Sequence, residues 1–220
     1  SSSRKGIRQK DFFQTALGDI LMITSYIGKK RELYLEVLKK KLKSSRFEHT
    51  LRTEKKAIEL AKRFGVDLSK AQTAALLHDI LKNISEEEKH SLISKYNIGP
   101  IFEQKGGENL LHGELASYYI KDEFQIDDED IINAVKNHTA GRANMSKLEK
   151  IIYLADLIED GRDFPSVDKI RKAAEENLDE AVFMACSHTI QYLVDSKMPI
   201  LGGTIEMYND YTTKMKGMEI

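Results

Sequence analysis

The 220 residues include 34 Lys or Arg and 35 Asp or Glu, which gives a formal net charge of −1 at pH 7. This balance excludes a strongly basic nucleic-acid-binding surface and a polybasic membrane anchor. Hydrophobic residues make up 41% and charged residues 31%, as is typical of a globular domain with a sizeable core. No apolar run is long enough to span a bilayer. The single Cys186 excludes an intrachain disulfide, so we expect a cytoplasmic protein.

Helical periodicity dominates the first half of the chain, and no segment has the alternation typical of a strand. Helices are predicted over 11–27, closed by Gly28, over 31–42, and over 46–64, stopped by Gly65. The next helix is predicted over 71–83, with Ser69 as its N-cap. It contains the doublet His78-Asp79 near its apolar end.

Capping signals divide the second half of the chain. Ser85 to Glu88 and Ser146 to Glu149 have the pattern of capping boxes, in which a Ser and a Glu bond each other's backbone N–H. Helices are predicted after each box and over 110–124, 128–138, 151–158, 166–176, 178–196 and from about 204. The sequence therefore predicts an all-α fold, a bundle of about ten helices. We expect residues 1–30 to be an N-terminal helical extension and residues 31–220 to be the main domain.

Two carboxylates occur where apolar residues surround them. Asp79 follows a run of small and apolar residues, and Asp156 lies within the apolar stretch Ile151 to Ile158. An ionised carboxylate buried without a partner would cost several kcal/mol. A divalent cation would offset that cost, because His nitrogen and Asp oxygen are natural ligands of such ions. For His78-Asp79 seen alone, hydrogen bonds to neighbouring backbone are an equally good explanation.

Six histidines are available as further ligands. His90 lies on a polar helix and is expected at the surface, whereas His188 is expected to be a packing residue. Taken singly, each of the other four is better explained by packing than by metal binding. These four are His49, His78, His112 and His138.

The four histidines and two aspartates form an ordered series that resembles a known family. The series is carried by five stretches: 46–49 (RFEH), 77–82 (LHDILK), 111–113 (LHG), 137–141 (NHTAG) and 153–162 (YLADLIEDGR). It resembles the HD-domain phosphohydrolases and, within them, the bacterial symmetrical diadenosine-tetraphosphate hydrolases of the YqeK type. The resemblance covers residues 34–208 and implies an HD-domain helical bundle.

The resemblance also implies a dinuclear metal site. One ion would be held by His49, His78, Asp79 and Asp156, and the other by His112 and His138, with Asp79 bridging. Iron is the metal expected first, and manganese, cobalt or zinc would also suit nitrogen-rich ligands, better than magnesium does. Paired cations of this kind can activate water and clamp phosphoryl oxygens during in-line attack.

Four further residues are predicted to contact substrate. Lys82 could bind a phosphate or support the leaving group, which makes it a catalytic candidate beside Asp79; otherwise it is a solvated lysine at a helix end. Thr139 and Arg142 could contact phosphate oxygens, and Arg162 could do so or pair with a neighbouring aspartate. Arg46, three residues before His49, is a weaker candidate.

The resemblance thus implies symmetrical hydrolysis of diadenosine tetraphosphate and related dinucleoside polyphosphates to two ADP. The alternatives are hydrolysis of another nucleotide (a nucleoside monophosphate, a deoxynucleoside triphosphate or a guanosine alarmone), a di-iron oxygenase, and a non-catalytic nucleotide sensor. We expect a small-molecule nucleotide partner, no nucleic acid and no membrane, and leave a homodimer open.

The chain departs from the family in two places. About thirty residues precede the usual start, and Arg52, Lys55 and Lys56 make the segment after His49 unusually charged. The second departure puts in question how closely that helix packs.

Overall fold

The computed structural model describes residues 30–98 and 108–217, which form ten α-helices and no strand. The helices are α1 (30–41), α2 (Ser44–Phe64), α3 (Leu68–Leu77), α4 (Glu86–Lys95), α5 (Glu108–Phe124), α6 (Glu129–Asn137), α7 (Lys147–Ile158), α8 (Val167–Glu176), α9 (Leu178–Asp195) and α10 (Gly202–Gly217). The all-α prediction is confirmed, whereas the helix predicted over 11–27 lies outside the described residues. No helix in the described part is long and apolar enough to cross a membrane.

The chain divides into a unit that ends at Val37 and a unit that begins at Leu38. The boundary predicted at residue 30 stays a prediction. Within the second unit, α7 is central and packs against α2, α3, α6, α8 and α9. Its side chains at Ile151, Ile152 and Leu154 are fully buried. Helices α2, α3, α6 and α7 also pack against one another, and most of the candidate site residues lie on them or directly after them.

Local signals in the sequence account for most of the helix ends. Gly65 ends α2 with a left-handed backbone conformation (φ 68°), which glycine adopts without steric cost. Ser146 and Glu149 form the complete capping box that the sequence predicts for α7. Ser85 caps α4 by accepting a hydrogen bond from the Glu88 N–H.

The helix predicted over 71–83 is shorter and is capped differently. Its N-cap is Asp67, whose side chain accepts from the Lys70 N–H, so the prediction of Ser69 as the cap is wrong. The helix ends at Leu77, and tight turns continue to residue 83 through the bonds Ile80 N–H to Leu77 O and Lys82 N–H to Asp79 O. The apolar pattern continues because this segment remains buried, although its backbone is no longer α-helical.

The charged segment after His49 packs closely against the end of α7. Arg52 donates from Nε to Glu159 Oε2 at 2.5 Å. Lys55 and Lys56 lie 2.7 and 3.5 Å from the carboxylate oxygens of Asp160. The unusual charges therefore pair with carboxylates that follow α7, and α2 and α7 remain in contact.

Glu149 organises the connection between α6 and α7. Its buried carboxylate accepts from Arg142 Nε and Nη2 at 2.7 and 2.8 Å, from the Asn137 side chain and from the Ser146 N–H. One carboxylate thus closes the capping box and fixes the loop that follows His138.

We predict that Glu149→Ala lowers the free energy of unfolding by about 1–3 kcal/mol, because three sets of donors lose their acceptor. Arg142 is 40% exposed, so water compensates part of the loss. Urea denaturation with excess chelator would measure the change. Glu206→Ala, which removes an exposed glutamate from α10, is the control, and an equal effect of both substitutions would contradict this role.

Candidate metal centre

Five helices bring the six predicted metal ligands into one cluster. His49 projects from α2, His112 from α5 and Asp156 from α7. His78 and Asp79 follow the last residue of α3, and His138 follows the last residue of α6. The four imidazoles and Asp79 are buried, while the Asp156 side chain is 21% exposed.

Asp79 lies at the centre of the cluster, with its two oxygens directed toward different histidines. Oδ2 is 3.3 Å from His78 Nε2 and 3.9 Å from His49 Nε2. Oδ1 is 3.1 Å from His112 Nε2 and 3.5 Å from His138 Nε2. A single carboxylate therefore connects two pairs of imidazoles.

Asp156 completes the side of the cluster that contains His49. Its Oδ1 lies 3.0 Å from His49 Nε2. On the other side, the Nε2 atoms of His112 and His138 are 3.0 Å apart. Three overlapping groups have ligand atoms within 4.8 Å of one another: His49, His78 and Asp79; His78, His138 and Asp156; and Asp79, His112 and His138.

In His78 and His138, the hydrogen bond made by Nδ1 determines the tautomer of the ring. His78 Nδ1 lies 2.6 Å from the Ala75 carbonyl oxygen, and His138 Nδ1 lies 2.7 Å from that of Val135. A carbonyl oxygen can only accept, so each Nδ1 must carry the proton. In both rings the lone pair of the neutral imidazole is then on Nε2, which faces Asp79.

The donor set fits divalent transition-metal ions. His78 Nε2 is buried and has no hydrogen-bond partner, although its tautomer makes it an acceptor. Buried polar atoms without partners are rare and costly, and a cation would satisfy this one. Imidazole nitrogens with carboxylate oxygens are the ligands of zinc, iron, manganese and cobalt sites.

Burial and neighbouring groups shift the pKa values of three of the predicted ligands toward the forms that bind a metal ion. Burial alone would raise the pKa of Asp79, but His78, His112 and His138 hold that pKa well below its usual range. Burial lowers the pKa of His112 to about 4, so its imidazole is neutral at pH 7. Burial would also raise the pKa of Asp156, yet the His49 imidazole beside it lowers that pKa.

Three basic side chains surround the cluster. Lys82 Nζ lies 3.3 Å from His112 Nε2. Arg46 Nη1 donates to Asp79 Oδ2 at 3.0 Å, and Arg162 Nη2 donates to Asp156 Oδ1 at 2.8 Å. The alternative expected for Arg162 was a pair with Asp160 or Asp163, but its partner is Asp156, a predicted metal ligand.

Lys82 also borders a cleft that opens beside the cluster. Burial lowers the pKa of its ammonium group, and the nearby Arg46 acts in the same direction. Thr139 Oγ1 lies 3.1 Å from His138 Nε2, so its hydroxyl is at the edge of the same site. The cleft is lined by Leu81, Lys82, Ile84, Glu86, Lys89, His112 and Leu115.

Arg142, His90 and His188 are not among the residues that form the cluster. The Arg142 guanidinium forms a two-bond ion pair with Glu149, and its contact with phosphate stays a prediction. His90 is exposed, and His188 stacks on Phe164 while its Nδ1 meets Ser166 Oγ at 2.9 Å, so both of those predictions are confirmed.

Sequence reasoning missed Glu159. Its buried carboxylate meets His49 Nδ1 at 3.1 Å, on the side of the ring opposite Asp156. The available signal was the spacing, because Glu159 follows Asp156 by three residues and such residues share a helix face.

Comparisons with known proteins agree on one family. Residues 46–161 match the HD-domain family model. The chain is 39% identical over 183 residues to the symmetrical bis(5'-nucleosyl)-tetraphosphatase of Halalkalibacterium halodurans, covering 83% of this chain and 97% of the relative. The enzyme of the same name from Bacillus subtilis is 38% identical over 179 residues, with 81% and 96% coverage.

A solved structure supports the same assignment. It is described as a predicted HD superfamily hydrolase involved in NAD metabolism, from Clostridium acetobutylicum. The two chains are 36% identical and superpose with a TM-score of 0.77, over 83% of this chain and 97% of the other. This chain therefore belongs to the HD-domain family and, within it, to the family of the symmetrical bis(5'-nucleosyl)-tetraphosphatases.

Proposed function

We propose that this chain hydrolyses diadenosine tetraphosphate and related dinucleoside polyphosphates symmetrically, releasing two ADP from diadenosine tetraphosphate. The substrate follows from the names of the relatives that span most of the chain. The observation that carries the reaction class is the position of Asp79, whose two oxygens face two separate pairs of histidines. This arrangement suits a site with two cations, as in many phosphate-ester and anhydride hydrolases.

The proposed ligands divide between two ions. The first ion would be held by His49, His78 and Asp156, the second by His112 and His138, and Asp79 would serve both. Iron is our first choice, with manganese, cobalt or zinc as alternatives, because four of the six ligands are imidazole nitrogens, which do not favour magnesium. Bound there, the ions would act as Lewis acids and activate water for attack on phosphorus.

The basic side chains would hold the polyphosphate over this centre. Lys82 lies beside His112 at the mouth of the cleft and can donate to a phosphoryl oxygen or to the leaving ADP. Arg46 and Arg162 are each fixed at one end by a site carboxylate, and their remaining N–H groups can donate to phosphate oxygens. The Thr139 hydroxyl adds a neutral donor at the edge of the second histidine pair.

Symmetrical cleavage requires attack at the second phosphorus counted from either adenosine. The water oxygen forms a bond to that phosphorus, the anhydride bond to the third phosphate breaks, and the other half leaves as ADP. The proton from water remains in solution or passes to the leaving oxygen. Lys82 is the candidate to stabilise charge on that oxygen, since it is the ammonium group nearest the cluster among the contacts described.

We predict that diadenosine tetraphosphate gives ADP as its only initial product. In ¹⁸O-labelled water, each pair of ADP molecules should contain one labelled oxygen, because only one half is attacked. Chromatography and mass spectrometry of early time points would measure both quantities.

ATP plus AMP at early times would contradict symmetrical cleavage. Absence of turnover with both metals bound would shift the assignment to another nucleotide, and a nucleotide panel in the same assay would identify it. Substrate-dependent oxygen uptake would instead indicate a di-iron oxygenase, and tight nucleotide binding without turnover would indicate a sensor.

The metal assignment gives a second prediction. Anaerobically purified protein should contain close to two transition-metal ions per chain by elemental analysis. His49→Ala should remove about one, and Asp79→Ala should reduce both, because this carboxylate is shared. His90→Ala, which alters an exposed histidine, is the control. Full metal content in Asp79→Ala would refute the ligand set.

Lys82 gives a third prediction. Lys82→Ala should leave the metal content unchanged and lower kcat/KM by about a hundredfold to a thousandfold, as expected for loss of a charged donor used in the transition state. Lys62→Ala, in an exposed part of α2, controls for loss of a positive charge. Wild-type kinetics in Lys82→Ala would show that this lysine has no part in the reaction.

A further inference from the structure

We propose that Glu159 is a positioning residue that fixes the His49 ring for metal binding. This inference rests on the metal centre of the proposed function. Glu159 Oε1 lies 3.1 Å from His49 Nδ1, and His49 Nε2 lies 3.0 Å from Asp156 Oδ1 on the opposite side of the ring. A proton on Nδ1 shared with Glu159 leaves the lone pair of the neutral ring on Nε2, directed toward Asp156 and Asp79.

The environment of Glu159 is built to keep its carboxylate ionised and stationary. The side chain is 2% exposed, and its Oε2 accepts from Arg52 Nε and from the Gly161 N–H, both at 2.5 Å. Arg52 Nη2 lies 3.4 Å from Oε1. A charged group buried in this way needs such partners. Their two short bonds are to Oε2, so Oε1 keeps a lone pair for His49.

The absence of a side chain at Gly161 leaves room for the Arg52 guanidinium. A Cβ atom there would lie 2.5 Å from Arg52 Nε and 2.8 Å from Arg52 Cζ. Any larger residue would therefore displace the guanidinium that covers Glu159.

His49 differs in this respect from two other ligands. His78 and His138 direct Nδ1 at neutral backbone carbonyls, whereas His49 directs Nδ1 at a carboxylate. A carboxylate is the stronger acceptor and raises the basicity of the opposite nitrogen. We therefore infer that Glu159 strengthens His49 as a ligand in addition to orienting it.

The competing explanation is that Glu159 only ties α2 to the end of α7 through Arg52. Three substitutions separate the two explanations. Glu159→Gln keeps an oxygen acceptor for Nδ1 but removes the charge, Glu159→Ala removes both, and Arg52→Met breaks the ion pair while leaving Glu159 beside His49. Asp160→Asn is the matched control, because this neighbouring carboxylate is 46% exposed and pairs with Lys55 and Lys56.

The experiment measures Co²⁺ affinity of the full chain by competition between the Co²⁺-loaded protein and nitrilotriacetate, followed by visible absorption. We expect the dissociation constant to rise about tenfold in Glu159→Gln and about a hundredfold in Glu159→Ala, the range found for partners of metal-ligating histidines. Arg52→Met and Asp160→Asn should stay within about threefold of wild type, since neither removes a partner of a ligand. Thermal unfolding with excess chelator should show Arg52→Met destabilised.

Wild-type Co²⁺ affinity in both Glu159 variants would overturn the positioning role. An affinity loss in Arg52→Met equal to that in Glu159→Ala would overturn it in favour of the ion pair. These failures would leave the wild-type centre, and the ADP product of the proposed reaction, unaffected. Failure of the wild-type chain to bind Co²⁺ would instead overturn the metal centre and this role together.

Discussion

The burial of Asp79 is the constraint on which the rest of this structure depends. An ionised carboxylate that is 2% exposed is costly unless strong partners surround it. Here the guanidinium of Arg46 donates to it, and imidazoles from four different helices or helix ends face it closely enough to share a bound cation with it. One buried anion therefore constrains how five helices pack: α2, α3, α5, α6 and α7. The same packing places one pair of histidines beside each oxygen of Asp79.

Two of the ligands are positioned by the same device at a helix end. The last four carbonyl groups of an α-helix have no partner within the helix. His78 directly follows α3 and meets the carbonyl of Ala75, and His138 directly follows α6 and meets the carbonyl of Val135. Each imidazole thus satisfies a carbonyl at its own helix end while its tautomer is fixed. At these two helix ends, one hydrogen bond therefore both satisfies a backbone carbonyl and fixes the tautomer of a predicted ligand.

The sequence predicted those site residues that differ in polarity from their neighbours along the chain. Histidines and aspartates within apolar runs are conspicuous, and their order identified the family before any distance was available. Helix existence followed from periodicity and caps, and Gly65 and the Ser146–Glu149 box illustrate this. The end of α3 could not be predicted in this way, because its turns remain as apolar as a buried helix.

Pairs between distant residues could not be predicted. Arg52 and Glu159 are 107 positions apart, and their contact depends on where α2 crosses the end of α7. For the same reason the charges after His49 looked unfavourable in the sequence, although they face Glu159 and Asp160 in the fold. Arg142 was predicted to contact phosphate, and the fold reveals that its guanidinium pairs with Glu149.

The arrangement of charge around the centre favours a polyanion over a neutral ligand. Asp79 and Asp156 each accept from one guanidinium, and a carboxylate has further lone pairs for imidazole-bound cations. Arg46 is held at Nη1 and Arg162 at Nε and Nη2, so each keeps other N–H donors for a ligand. Lys82 lies beside His112, so a third positive group borders the cluster. A chain of linked phosphates can contact such groups at several points, whereas a single phosphate can contact few of them. The three basic groups around the proposed metal centre thus suit an extended polyphosphate better than a nucleoside monophosphate.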